Sequence, residues 1–177
     1  LTMFEVIHQF TQIDITNMNE TQLRQVAKEL NIPLPAHAGQ GKIIDTIFGT
    51  TCEPYLIQPT LITDYPTAMS PLAKQHADNP QLVERFELIC NGKEIANAFS
   101  ELNNPIQQRQ RFEDQQQQAL RGDDEAMVLD EDYLNALCSG MAPTAGLGLG
   151  VDRLSMLMTN SHSIQEVILF PQMRKKQ

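Results

Sequence analysis

Positive charge is scarce in this chain. Thirteen Lys and Arg stand against 22 Asp and Glu over 177 residues, a formal net charge of -9 at neutral pH. A nucleic-acid-coating protein carries a basic footprint, so that class is excluded. Contact with tRNA through a local patch is not excluded, nor is a nucleotide held by a few residues and a metal. Cysteine is scarce too: Cys52, Cys90 and Cys138 lie far apart with no CxxC spacing. That excludes a disulfide frame and a cysteine zinc site, and it points to free thiols in a reducing compartment. No apolar run approaches the ~20 residues of a membrane span, and no signal peptide opens the chain. The expectation is a cytoplasmic chain with no membrane partner, long enough for one domain with a real core. An initiator methionine is also lacking. The chain opens at Leu1 directly in a helical pattern and ends in "RKKQ", which predicts a piece of a longer protein.

What is present divides into helices and then strands. "LTMFEVIHQFTQ" sets Met3, Phe4, Ile7 and Phe10 on one helical face. In "NETQLRQVAKEL", Asn19 and Gln22 have the spacing of a capping box, and Leu23, Val26 and Leu30 form the apolar stripe. After a Pro/Gly linker, "GKIIDTIFGTTCEPYL" reads as a further helix with Ile43, Ile44, Ile47 and Phe48 inward. From "PTLITDYP" the pattern turns to strands. "VERFELIC", "NG" and "KEIANAFSEL" form a hairpin signal, because Asn91-Gly92 suits a two-residue type I′ turn. A long polar helix begins near Asn104-Pro105, with Ile106, Phe112 and Leu120 as its thin apolar contacts, and "DEDYLNALCSG" is a short helix ending at Gly140. A glycine-rich strand, the helix "DRLSMLMTN" and a final buried strand, "SIQEVILFPQM", close the chain.

The stretch "GLGLGVDR" carries the strongest chemical signal. A dinucleotide fingerprint needs G-x-G-x-x-G in a turn before a helix, and the spacing here is G-x-G-x-G. Period two puts Gly146, Gly148 and Gly150 on one face of a strand, with Leu147, Leu149 and Val151 on the other, toward a core. A flat ring can lie against the stripped face, and Arg153, opening the next helix, can stack on a base or pair with phosphate. The residues alone leave equal room for a glycine-rich loop or for a strand thinned for close helix packing.

With Asn91-Gly92 as the turn, Cys90 faces Lys93, Ile89 faces Glu94 and Glu87 faces Ala96. Glu87 and Glu94 then share a face as diagonal neighbours, with Cβ atoms about 7 Å apart. Two carboxylates so placed repel unless a cation or substrate lies between them, and Mg²⁺ commonly sits on one or two carboxylates plus substrate phosphates. Two solvated glutamates on an exposed face is the alternative. Ala96 and Ala98 keep that face open, while Phe86, Leu88 and Ile95 cover the core face. Asn97, Phe99, Ser100 and Glu101 add an unusual density of hydrogen-bonding groups. The four histidines have no i,i+4 partner, and "MSPLAK" has neither a glycine elbow nor an adjacent base for Ser70.

Three stretches together resemble a known family. "TLITDYPTAMSPLAK", "RFELICNGKEIANAFSELNNPIQQRQRF" and "PTAGLGLGVDRLSMLMTNSHSIQEVILFPQMR" are similar, in order and spacing, to the C-terminal part of class II lysyl-tRNA synthetases. The last contains the strand-then-helix signature called motif 3, ending in Arg153. The resemblance implies an α+β fold, an antiparallel β-sheet with flanking helices that forms part of the class II catalytic core, plus a small helical insertion. On that basis residues 1–12 are a core helix, 13–58 the helical insertion, and 59–177 the C-terminal part of the catalytic domain.

The resemblance also implies chemistry. ATP and L-lysine react with Mg²⁺ to give lysyl-adenylate, and the lysyl group passes to tRNA(Lys) in a homodimeric enzyme of protein biosynthesis. By position, Arg153 matches the ATP-clamping arginine and is the catalytic candidate. Glu87 and Glu94 match the metal carboxylates, and Glu87, Gly146, Gly148 and Gly150 line the ATP seat. Asn97, Phe99 and Glu101 match the lysine pocket, with Gly150 leaving it room. Strict alternation puts Asn97, Phe99 and Glu101 on the face opposite Glu94, so a shared site predicts a bulge near residues 96–100. Motifs 1 and 2 and the anticodon-binding barrel are not in this sequence, which predicts an inactive isolated chain, prone to associate. The alternatives are a synthetase paralog that lysylates a protein and a non-catalytic interaction module.

Overall fold

Side-chain caps set the starts of four of the six described α-helices. The computed structural model describes residues 1–123 and 126–172. Thr2 caps α1 (Met3–Thr11): its hydroxyl accepts from the Glu5 N–H while the Glu5 carboxylate accepts from the Thr2 N–H. Asn19 and Gln22 form the same reciprocal pair at α2 (Glu20–Glu29), as their spacing predicts. α3 (Gln40–Thr51) follows Gly39 and ends earlier than expected, giving way to a 3₁₀ turn over Glu53–Tyr55 that carries Pro54. Proline lacks the N–H an α-helix would use there. Met3, Val6, Ile7, Leu23, Ile43 and Ile47 are buried together with Ile62 and Ile89 of the sheet, so one core runs from the helices onto the strands. Phe10 leaves that core and stacks at the surface on Tyr55, ring centroids 5.8 Å apart.

The start of α3 rests directly on backbone. A Cβ on Gly41 would sit 2.4 Å from the Ala68 carbonyl oxygen and 2.8 Å from its carbon. Alanine is the better helix former by nearly 1 kcal/mol, but the clash is with main chain and cannot rotate away. Gly41→Ala is therefore expected to destabilise the fold by about 1–3 kcal/mol, the cost of overpacking. Urea unfolding checks this, and an unchanged or raised midpoint would refute it.

β1 (Thr60–Pro66), β2 (Leu82–Cys90), β3 (Lys93–Ser100) and β4 (Ala145–Leu149) form one sheet in that order, every neighbouring pair antiparallel. The α+β class expected from the sequence is thus observed. Asn91 and Gly92 turn the hairpin with φ of 53° and 66°, the left-handed pair a type I′ turn requires. The register begins as expected, Cys90 opposite Lys93 and Ile89 opposite Glu94, and then slips: Leu88 faces Ala96 and Glu87 faces Asn97. Ile95 is the extra residue of a bulge slightly ahead of the expected 96–100 window. The slip corrects two assignments. Ala96 and Ala98 do not share the Glu87 face but pair with Leu88 and Phe86 on the other, and Asn97 and Phe99 come over to join Glu87.

The helical core covers only the face that carries Ile62 and Ile89. On the other face Leu61 and Phe86 are exposed, and Leu147 and Leu149 are 69% and 50% accessible. Val151, the first residue of α6 (Val151–Thr159), is exposed as well. Leu147, Leu149 and Val151 therefore do not point into a core, and neither Phe86 nor Leu88 is enclosed, although Ile95, Ala96 and Ala98 are buried. The final buried strand is not found either. Ile164–Glu166 is a 3₁₀ turn, Leu169 and Phe170 are 88% and 90% accessible, and Met173 lies outside the described residues.

α4 (Pro105–Leu120) starts at its expected Asn104 cap, but Ile106 and Leu120 are exposed. Apart from buried Phe112, its contacts are largely polar. Buried Gln108 donates to the Pro71 carbonyl at 3.1 Å, and buried Arg111 donates to the Ser70 carbonyl at 3.0 Å and to Ala73. They pin the loop between β1 and β2. α5 (Glu131–Cys138) docks on α4 through Phe112 against Tyr133 and through a bidentate pair, Arg109 to Glu131 at 2.8 and 2.7 Å.

Candidate functional site

The bulge and the glycine strand build one surface. Asn97 lies opposite Gly148 and Phe99 opposite Gly146 across β3 and β4, while Glu87 and Arg85 lie opposite Asn97 and Phe99 across β2 and β3. Cross-strand partners project to the same side, so Arg85, Glu87, Asn97, Phe99, Gly146 and Gly148 share a face. Gly150 has left the strand: it is the N-cap residue of α6, which brings Arg153 into the first turn beside it. Glu101 enters at the far end. A Cβ on Gly146 would meet its carboxylate oxygen at 2.4 Å, so that oxygen lies over the bare strand. All nine residues the sequence singled out thus line one stripe, which runs from Glu101 past the glycines to Glu94 and Arg153.

The acidic end is balanced by arginines. Arg153 Nη1 donates to the Glu94 carbonyl at 2.8 Å and to its carboxylate at 3.3 Å, with both side chains partly exposed. Glu87 is well buried and accepts from Arg85 and, at 3.2 Å, from Asn97 Nδ2. Burial pushes the Glu87 carboxyl above the usual carboxylate range; Arg85 pulls it back and the Glu94 charge pushes it further. Glu53, from the 3₁₀ turn after α3, joins this end. Its carboxyl is raised by burial and then by Glu87, Glu94 and Asp45, against Arg153. The Tyr65 phenol is buried beside Glu87 and makes no hydrogen bond of good geometry; burial and the Glu87 charge push its pKa up.

Two clefts open at this end. One of about 450 Å³ is lined by Glu53, Lys93, Glu94, Arg153 and His162, and another of about 370 Å³ by Glu94, Asn97, Gly148, Gly150 and Arg153. A larger cleft of about 510 Å³ lies elsewhere, between the start of α3 and α4. It contains none of the residues predicted from the sequence, and the described contacts of its one buried charge, Arg111, are to backbone carbonyls. Size does not decide function here; the placement of charge does.

The donors fit a hard cation. All are carboxylate oxygens, and among the described residues no three His, Cys, Asp or Glu stand close enough to cage an ion by themselves. That suits Mg²⁺, which keeps waters and takes one or two carboxylates plus substrate phosphates, better than a structural metal.

Two residues of this surface escaped the sequence reading. Arg85 had a usable signal, since it stands two residues before Glu87 and period two puts both on one face. Glu53 had none, because it reaches the site from a helical segment 34 positions upstream of Glu87.

An antiparallel sheet whose bare glycine strand leads into an arginine-bearing helix is the arrangement that motif 3 of a class II synthetase implies. The match to known proteins agrees: this chain belongs to the class II tRNA synthetase family (D, K and N), whose model matches residues 2–174. It is 59% identical over 174 residues to the lysine–tRNA ligase of Porphyromonas gingivalis, covering 98% of this chain and 30% of the ligase. It is 56% identical over 174 residues to the ligases of Christiangramia forsetii and Azobacteroides pseudotrichonymphae, covering 31% and 35% of them. The chain therefore spans about a third of the length of these relatives.

Proposed function

We propose that this chain supplies the motif 3 side of the ATP and lysine site of a lysine–tRNA ligase. The observation that carries the reading is the single stripe on which Glu101, Asn97, the bare Gly146 and Gly148, Glu94 and Arg153 meet. The adenine ring and the adenylate lie on the glycines, Arg153 holds phosphate, and Asn97, Phe99 and Glu101 take the amino acid, with the Glu101 carboxylate facing the lysine ε-ammonium. Mg²⁺ on Glu87 and Glu94 would neutralise phosphate charge. A lysine carboxylate oxygen forms a bond to the α-phosphorus, the bond from that phosphorus to the bridging oxygen breaks, and pyrophosphate leaves. A terminal tRNA(Lys) hydroxyl then takes the lysyl group and AMP departs. The protein's part is positioning and charge stabilisation. The carboxylate nucleophile is already ionised at pH 7, so no protein base is needed.

The uncovered apolar face of Leu61, Phe86, Leu147 and Leu149 supports a chain that packs within a larger protein; a cytoplasmic, homodimeric enzyme with residues 13–58 as its inserted helical unit is what the family resemblance implies. No described helix is long and apolar enough to cross a membrane. The test exchanges this chain for the matching segment of the Porphyromonas gingivalis ligase and measures lysine-dependent ATP–pyrophosphate exchange. Exchange near that of the unaltered ligase is expected. A folded chimera that binds neither ATP nor lysine would overturn the reading.

A further inference from the structure

Arg85 spends almost its whole fork on the site, and nothing in the assigned chemistry uses it. Its Nε donates to Asn97 Oδ1 at 3.2 Å, Nη1 to Ser70 Oγ at 2.8 Å and to the Met69 carbonyl at 3.1 Å, and Nη2 to Glu87. Its plane lies over the Tyr65 ring, 4.4 Å from the centroid. Four segments therefore hold one guanidinium: strand β1, the loop after it, strand β2 and strand β3. Both Arg85 and Glu87 side chains are more than four-fifths buried, so this is a desolvated pair whose hydrogen bonds are not diluted by water.

The network has a chemical consequence at Asn97. A guanidinium only donates and an ionised carboxylate only accepts. The amide atom facing Arg85 Nε must be the oxygen, and the one facing Glu87 must be the nitrogen, as the 3.2 Å contact from Nδ2 to Glu87 Oε1 shows. A flipped amide would set N–H against N–H and oxygen against oxygen. With a positive charge beside Oδ1, that end of Asn97 repels an ammonium, and the second Nδ2–H is left to meet an oxygen.

We propose that Arg85 is a positioning residue that locks the Asn97 amide so that it presents an N–H donor to a carboxylate oxygen of the amino-acid substrate. The α- and ε-ammonium groups are thereby left to carboxylates such as Glu101. The inference rests on the lysine-site reading given above. It makes Arg85 a determinant of which way round the amino acid binds, acting through Asn97 and not by touching substrate.

Lysine cannot replace this arginine, because one ammonium cannot serve the same spread of acceptors or lie flat on Tyr65. The experiment uses the chimeric ligase carrying this chain, with Arg85→Lys, Asn97→Ala, the double variant and Ser70→Ala. Arg85→Lys is expected to raise the lysine KM about 10- to 100-fold, the scale seen when an outer partner of a site residue is lost, with a much smaller rise in the ATP KM through Glu87, whose neighbouring positive charge lysine keeps. In EDTA without ATP, the rise in Tm that lysine gives the wild type should shrink in parallel, a binding readout free of metal and turnover. The double variant should be no worse than Asn97→Ala alone, since one residue acts through the other. Ser70→Ala removes one anchor of Arg85 and should move the lysine KM the same way but less, which preserves the test if Arg85→Lys does not fold. Multiplying losses in the double variant, or equal changes in the ATP and lysine KM values, would refute the role. A wild-type chimera without lysine-dependent exchange would instead strike at the underlying site reading.

Discussion

Arg153→Ala in the chimeric ligase is expected to cut lysine-dependent pyrophosphate exchange by about 100- to 1,000-fold, the cost of removing one preorganised donor to developing charge. Folding should barely change. The side chain is 48% accessible, and its described polar partners are the Glu94 carbonyl and carboxylate, an exposed contact whose contribution to stability is small. The same contact sharpens the expectation. Without ATP, Arg153 neutralises Glu94, the residue that would hold magnesium, so ATP and its metal must take both partners from each other. Glu94→Gln should then loosen Arg153 while weakening the magnesium dependence, and it should lose exchange without losing Tm. Exchange at the wild-type rate in a folded Arg153→Ala enzyme would mean that the arginine only closes the start of α6, and its role would have to be withdrawn.

Local chemistry was the legible part of this fold. The Asn19–Gln22 pair, the Asn104-Pro105 start and the Asn91-Gly92 turn each act within a few residues, and each appears where the sequence puts it. The two faces of the sheet were not legible in the same way. Strict alternation assigns Ala96 and Ala98 to the Glu87 side, and one bulged residue, Ile95, reverses that. The bulge itself could be inferred only because the site needed Asn97 and Glu87 together; nothing in "KEIANAF" marks it. Leu147 and Leu149 show a different limit. Alternation correctly separates them from the glycines, but whether an apolar face is covered depends on what packs there, and no periodicity records that. That the candidate residues come together on one surface was more legible than which sheet faces are covered, because they carry charge and hydrogen-bonding groups whose spacing is constrained by chemistry. Period two places Arg85 on the Glu87 face but says nothing of its partners: its meaning comes from the Ser70 loop, Asn97 and Tyr65 meeting around it.

The bare strand itself gives the other large expected effect. At Gly148 the nearest atom to an added Cβ is the Asn97 carbonyl oxygen at 3.8 Å, an ordinary contact, so the folded chain accepts a side chain there. Replacing a strand glycine also lowers the entropy of the unfolded chain, which favours folding by a few tenths to about 1 kcal/mol for alanine. Gly148→Val should therefore leave Tm unchanged or raised. Yet its methyl groups would stand on the face between Asn97 and Arg153 where the reading seats the nucleotide. A displacement of about 1 Å there is enough to cost roughly 100-fold in rate, so the ATP KM should rise steeply while folding does not suffer. Gly146 provides the internal contrast. Its added Cβ would lie 2.4 Å from the Glu101 carboxylate oxygen, the far end of a flexible side chain, so Gly146→Ala displaces that carboxylate and should raise the lysine KM in preference to the ATP KM. Opposite selectivities at two glycines two residues apart would be hard to obtain from any strand thinned merely for packing. Equal, small effects on both substrates would show that the nucleotide lies elsewhere and that the glycines serve the backbone alone.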